Sequence, residues 1–291
     1  MSDRNAKIGG NVWSAEETPP PTSQWIQQGF HAFLGRYLRR HFHCIGLQGD
    51  GFDPSSVTDP LGEHVPTIVY ANHPAWWDPL IAHYLNHLLF QRRQFYAPID
   101  ADALSRYRVF EKLGFYGINL KSTSGAAAFL KTSMSILRGQ QTALWITPEG
   151  RFCDARDHGA ALMPGLAHLC SKLSVADEHD SPQRRWRVIP MALEYAFWDE
   201  RLPVCMVRFG QPFEAATCQG WGKPQWNLRL AERLRENQTA LAQSVIARNP
   251  AAFKSLMVGK VGAGFLYDSM RRVKSWLNRE RFRAEHGEHF R

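Results

Sequence analysis

The 291-residue chain has few cysteines, and they form no pairs in sequence. Cys44, Cys153, Cys170, Cys205 and Cys218 are scattered, with no C-x-x-C among them. That spacing argues against a zinc site or a dithiol redox centre, and the odd count argues against a full disulfide framework. An intracellular setting is the expectation. Long hydrophobic runs are also lacking. No apolar stretch nears the roughly 20 residues needed to cross a bilayer, so any membrane contact is expected to be peripheral. The N-terminus lacks the charged-then-apolar pattern of a signal peptide. There is no internal repeat and no nucleic-acid reading motif, and a basic patch without a reader is weak ground for DNA or RNA binding. Acidic residues are the minority, 27 Asp and Glu against 35 Lys and Arg. The resulting formal charge of +8 favours an acidic partner: an anionic lipid, a nucleic acid, or an acidic carrier such as coenzyme A.

What is present alternates strand and helix. Strands are expected at about 67–71, 94–98, 116–120, 142–147, 187–193 and 204–210. Helices are expected between them, at Pro79 to Leu89, Ala126 to Leu137 and Pro164 to Leu173, with a later one over Pro224 to Ala247. This order predicts an α/β fold with a largely parallel central sheet flanked by helices. A helix over Ser23 to His43 places Ile26, Phe30, Phe33, Leu34, Tyr37 and Leu38 on one face, with Arg36, Arg39 and Arg40 near its end. It either caps the core or lies in a membrane interface with Trp25 and the phenylalanines in lipid; a shared stripe allows both. Gly46 to Pro66 reads as loop with at most a short edge strand. A second amphipathic helix, strongly basic, is expected over Phe265 to Arg283, and Val175 to Gln183 as a polar loop. The organisation is then a flexible tail (1–22), an N-terminal helix and loop (23–66), a core (67–215), and C-terminal helices with a basic tail (216–291).

Two stretches carry chemistry. The first is Tyr70-Ala71-Asn72-His73-Pro74-Ala75-Trp76-Trp77-Asp78-Pro79. It sits where a strand gives way to a helix, and its prolines fix much of the path between His73 and Asp78. That path can return the carboxylate to one imidazole nitrogen and leave the other as a hydrogen-bond acceptor, a general base for a hydroxyl or a water. On its own, the same spacing also suits a histidine beside a helix capped by Asp78. The second is Thr147-Pro148-Glu149-Gly150-Arg151-Phe152, directly after the apolar run Thr142 to Ile146. Gly150 permits close backbone approach, Glu149 can accept from acceptor hydroxyls or fix the loop, and Arg151 offers a planar fork to phosphate or carboxylate. His73 and Glu149 both follow the carboxyl end of an apolar strand, where open α/β sheets place their ligand crevice.

Asn72-His73 with Asp78 resembles the H-x4-D signature of the glycerolipid (PlsC-like) acyltransferases. Pro148-Glu149-Gly150 resembles that superfamily's F-P-E-G-T-R/S block, with Thr147 at the usual Phe, Arg151 at the usual Thr and Phe152 at the usual Arg or Ser. Val188-Ile189-Pro190 is similar to its V-x-P block, whose proline helps shape the acyl pocket. The block in which the family carries a phosphate-contacting arginine has Asn119 and Lys121 here.

The resemblance covers roughly residues 65 to 195. It implies an O-acyltransferase of lipid metabolism that moves a fatty acyl group from acyl-CoA or acyl carrier protein to a lysophospholipid, a glycerol-phosphate or a related lipid. His73 and Asp78 would be catalytic. Asn72, Lys121, Pro148, Glu149, Gly150, Arg151 and Pro190 would bind substrate, Asn72 or turn N–H groups holding the oxyanion. No metal or other cofactor is implied, and no nucleic-acid partner. A protein peripherally associated with the inner face of the membrane is the expected setting. A thioesterase using the same dyad, and a non-catalytic basic membrane-binding protein, are the alternatives.

Overall fold

The computed structural model describes residues 18–54, 65–90, 93–120, 122–139, 141–180, 186–214 and 217–260. Lys121 and the basic segment Phe265 to Arg283 lie outside the described residues, as does most of the 1–22 tail. In chain order the elements are α1 (Gln24–His41), β1 (Cys44–Gln48), β2 (Thr67–Ala71), α2 (Asp78–Leu89), β3 (Gln94–Asp100), α3 (Ala101–Arg106), α4 (Val109–Lys112), β4 (Phe115–Ile118), α5 (Thr123–Leu137), β5 (Thr142–Ile146), α6 (Pro164–Asp180), β6 (Arg187–Ala196), β7 (Val204–Phe209), β8 (Phe213–Glu214), α7 (Lys223–Ile246) and β9 (Phe253–Val258).

The strands form one mixed sheet in the order β4-β3-β5-β2-β6-β7-β1-β9, with β8 also on β6. The run β4 to β6 is parallel throughout. β7 turns antiparallel to β6, β1 runs parallel to β7, and β9 is antiparallel to β1. The expected largely parallel α/β fold is what forms. β2 shows why its sequence is apolar end to end: Ile68 and Tyr70 face one helical layer while Val69 and Ala71 face the other. α1 and α2 cover one side, through Leu34, Leu38, Ile81 and Leu85; α5, α6 and α7 cover the opposite side, through Phe129, Leu169, Leu230 and Leu234. The α1 stripe is shared: Leu34 and Leu38 point into the core, whereas Trp25 and Phe33 are exposed. No helix among the described residues is long and apolar enough to cross a membrane.

Two local expectations are corrected. Cys44–Gln48 is neither loop nor edge: β1 is buried along its length and paired on both sides. Gly46, which reads as a breaker, is there because the sheet crowds it; a Cβ would stand 3.1 Å from Met206 Sδ and 3.2 Å from Phe253 Cβ. Helix α6 runs on to Asp180 through the segment expected as polar loop. Pro190 lies on an interior strand. It is tolerated because β8 pairs with β6 only at Arg187 and Val188 and β7 only from Met191 onward, so the missing N–H falls in the gap between them.

Candidate active site

The site is built where β2 and β5 end. After Ala71 the chain turns through His73 to Asp78, the first residue of α2. Asp78 does not cap that helix. Its carboxylate, 4% exposed, turns back instead and is filled by three donors. His73 Nδ1 lies 2.6 Å from Oδ2, the Ala75 N–H donates to Oδ2 at 3.1 Å, and the Tyr195 hydroxyl donates to Oδ1 at 2.7 Å. A carboxylate only accepts, so the proton of the neutral ring is on Nδ1 and Nε2 is left as the acceptor. Burial first, then Cys205 and Asp78, hold the Tyr195 hydroxyl well above the ordinary tyrosine range, so it stays a donor.

The backbone of His73 is held by the turn after β5. Its N–H donates to Glu149 Oε2 at 2.9 Å, and its carbonyl accepts from the Cys153 N–H at 3.0 Å. The other Glu149 oxygen accepts from Arg235 Nη1 at 3.0 Å. Both oxygens of Glu149 are therefore spent inside the protein: of the two roles open to it, the geometry is that of fixing the loop. Pro148 is buried beside it, its carbonyl taking the Met163 N–H at 2.7 Å. Gly150 closes the turn at φ +64°, and a Cβ there would meet Met163 Sδ at 2.2 Å.

A cavity of about 310 Å3 lies over the carboxyl ends of β2 to β6. Ala82, Phe95, Phe115, Trp145, Met191 and Leu193 are among its walls, and His73, Gly150, Arg151 and Phe152 line it too. Its size is at the lower end for small-molecule pockets. Arg151 is exposed, and among the described residues nothing pairs with its guanidinium. The Phe152 ring sits 4.5 Å from the imidazole of His73, centre to centre.

The structure thus brings together His73, Asp78, Glu149, Gly150 and Arg151. Four of the expected binders, Asn72, Pro148, Glu149 and Pro190, are not in the cavity wall. Asn72 is 1% exposed and spends its amide on β6: Nδ2 donates to the Leu193 carbonyl and Oδ1 accepts the Leu193 N–H, each at 2.9 Å. It ties the loop to β6 and is closed off from the cavity. Pro190 is not in the cavity wall; Met191 and Leu193 of the same strand are. Sequence reasoning missed Tyr195 and Arg235. Nothing in the spacing of Tyr195 marks it. Arg235 had a fainter signal: Asn237 and Gln238 interrupt the apolar stripe Leu230, Leu234, Leu241 and Val245, and both are buried.

A search of curated proteins finds no match. Residues 56–194 match the family model described as Acyltransferase. The match spans α2, β2 to β5 and most of β6, and so the turn carrying His73 and Asp78, the turn carrying Glu149, and most of the cavity wall. Over residues 56–194 the chain is thus similar to the acyltransferase family.

Proposed function

We propose that the protein transfers a fatty acyl group from an acyl thioester, acyl-CoA or acyl carrier protein, to the hydroxyl of a lysophospholipid, a glycerol-phosphate or a related lipid. The observation that carries this reading is the His73–Asp78 contact at the wall of a mainly apolar cavity. Nε2 of His73 takes the proton of the acceptor hydroxyl as its oxygen attacks the thioester carbonyl carbon. The tetrahedral intermediate collapses, the C–S bond breaks, and the thiolate leaves with the proton returned from His73. Asp78 orients the ring and offsets the charge it gains during attack. The apolar walls suit an alkyl chain, and Arg151 suits a phosphate or carboxylate on donor or acceptor.

Peripheral contact with the inner face of an anionic membrane completes the reading. It is supported by the exposed Trp25 and Phe33 on α1, beside the exposed Arg36, Arg39 and Arg40. The test is to incubate the protein with labelled long-chain acyl-CoA, or acyl carrier protein, and a panel of lyso-lipids, beside His73→Ala. The expected result is an acylated lipid whose formation falls about 100-fold or more in the variant, as for loss of a general base. Free fatty acid as the only product, again dependent on His73, would make the protein a thioesterase. Vesicle binding with no turnover from either donor would make it a binding module.

A further inference from the structure

Helix α7 lies wholly beyond the matched residues 56–194, yet one of its side chains reaches the backbone of the catalytic turn. Arg235 is mostly buried, its side chain 15% exposed, and Glu149 beyond it is 0% exposed. The guanidinium has three partners. Nη1 donates to Glu149 Oε1 at 3.0 Å and to Gln238 Oε1 at 2.6 Å, and Nη2 donates to the Ala160 carbonyl. Gln238, one turn on, donates from Nε2 to the Ala155 carbonyl at 2.7 Å. The turn and loop from Glu149 to Ala160 are thus fastened to α7 at three points.

We infer that Arg235 is a positioning residue for His73, acting through Glu149; this rests on the reading of His73 as the base. The chain of contacts is short. Arg235 fixes one oxygen of Glu149, the other oxygen holds the His73 N–H, and the same turn returns the Cys153 N–H to the His73 carbonyl. Asp78 sets the rotation of the imidazole, but the place of its Cα is set by these two backbone bonds. A buried carboxylate with one partner removed is free to rotate or draw in water, and a sub-ångström shift at His73 misaims Nε2. Among arginines on this helix, Arg229 and Arg233 pair with Glu232 and Glu236 at the surface, so Arg235 has a different task.

The experiment compares parent, Arg235→Met, Arg235→Lys, the double variant Arg235→Met/Glu149→Gln, and His73→Ala. It measures kcat, KM for the acyl donor, and thermal stability. Arg235→Met is expected to lower kcat per folded molecule about 10- to 100-fold with KM nearly unchanged, as for a misplaced catalytic group. Arg235→Lys keeps the charge on Glu149 and should recover most of that loss. The double variant leaves a neutral amide to accept the His73 N–H, so it should be more stable than Arg235→Met and turn over faster than it. Parental kcat in folded Arg235→Met, or losses across the series that follow thermal stability alone, would overturn the positioning role while an inactive His73→Ala left the base assignment standing. An active His73→Ala would remove the premise itself.

Discussion

At the scale of single residues, Asp78 is the most heavily used group in the site. Three donors converge on it, and each takes away freedom that an exposed carboxylate would have. Tyr195 is the donor that can be removed without disturbing volume. Tyr195→Phe leaves Oδ1 of a buried carboxylate short of a partner, at a cost of about 1–3 kcal/mol in stability. Asp78 then has only His73 and the Ala75 N–H to bind, and holds the imidazole differently. We expect kcat to fall by about 10-fold, with KM nearly unchanged, as when an interaction is lost from the transition state alone. Steady-state kinetics beside a melting curve check this; an unchanged kcat would reduce Tyr195 to a packing residue.

Elements decide the shape of the cavity and the seating of the first helix. β3 contributes Phe95 and Ala97 to the cavity wall, Ala97 being small and 8% exposed. Ala97→Phe places a ring in that space. If an acyl chain lies there, the preferred chain should shorten by a few methylenes, each buried CH2 being worth about 0.8 kcal/mol. A competition assay with mixed acyl donors reads the shift, and an unaltered preference would place the chain elsewhere.

α1 meets α2 through histidines. His83 Nε2 lies 3.3 Å from the Leu113 carbonyl and must be the donor there, so His83 Nδ1 accepts from His31 Nε2 at 3.0 Å. His87 stacks on His31 at 4.0 Å. Burial and then His87 push His31 down to about 4; burial and then His31 push His83 down to about 3. The unfolded chain binds protons near 6.5 that the folded chain refuses. The contribution of these two groups is therefore complete above pH 6.5 and is lost as pH falls toward 4 and then 3. Melting temperature should drop between pH 7 and pH 5, and His31→Gln should flatten the drop.

For the molecule as a whole, the relevant quantity is charge. A net charge of +8 on a chain with exposed aromatic side chains on α1 predicts binding to anionic vesicles that weakens with salt. The Debye length shrinks from about 10 Å at 0.1 M to about 3 Å at 1 M. Sedimentation with phosphatidylserine vesicles should show loss of bound protein over that range, with little binding to neutral vesicles at any salt. Salt-insensitive binding would assign the contact to apolar insertion alone.

The sequence by itself determined the strand–helix alternation of the parallel half, because strands buried on both faces must be apolar throughout and their turns must carry Pro, Gly and polar residues. It also determined the pairing of His73 with Asp78, a local contact across five positions in which prolines restrict the path. The matched turn at Glu149 was legible for the same reason. Only the tertiary structure decided the rest, because those partners are distant in the chain. Asn72 and Glu149 read as substrate binders until Leu193 and Arg235 arrive from β6 and α7 to occupy them. Pro190 read as part of the acyl pocket until the register of β6 put its neighbours Met191 and Leu193 in the wall. β1 read as loop because Gly46 looks like a breaker in isolation, and becomes a paired strand only once Met206 and Phe253 pack against it. A sequence records which side chains a residue could use; long-range packing decides which of them are already taken.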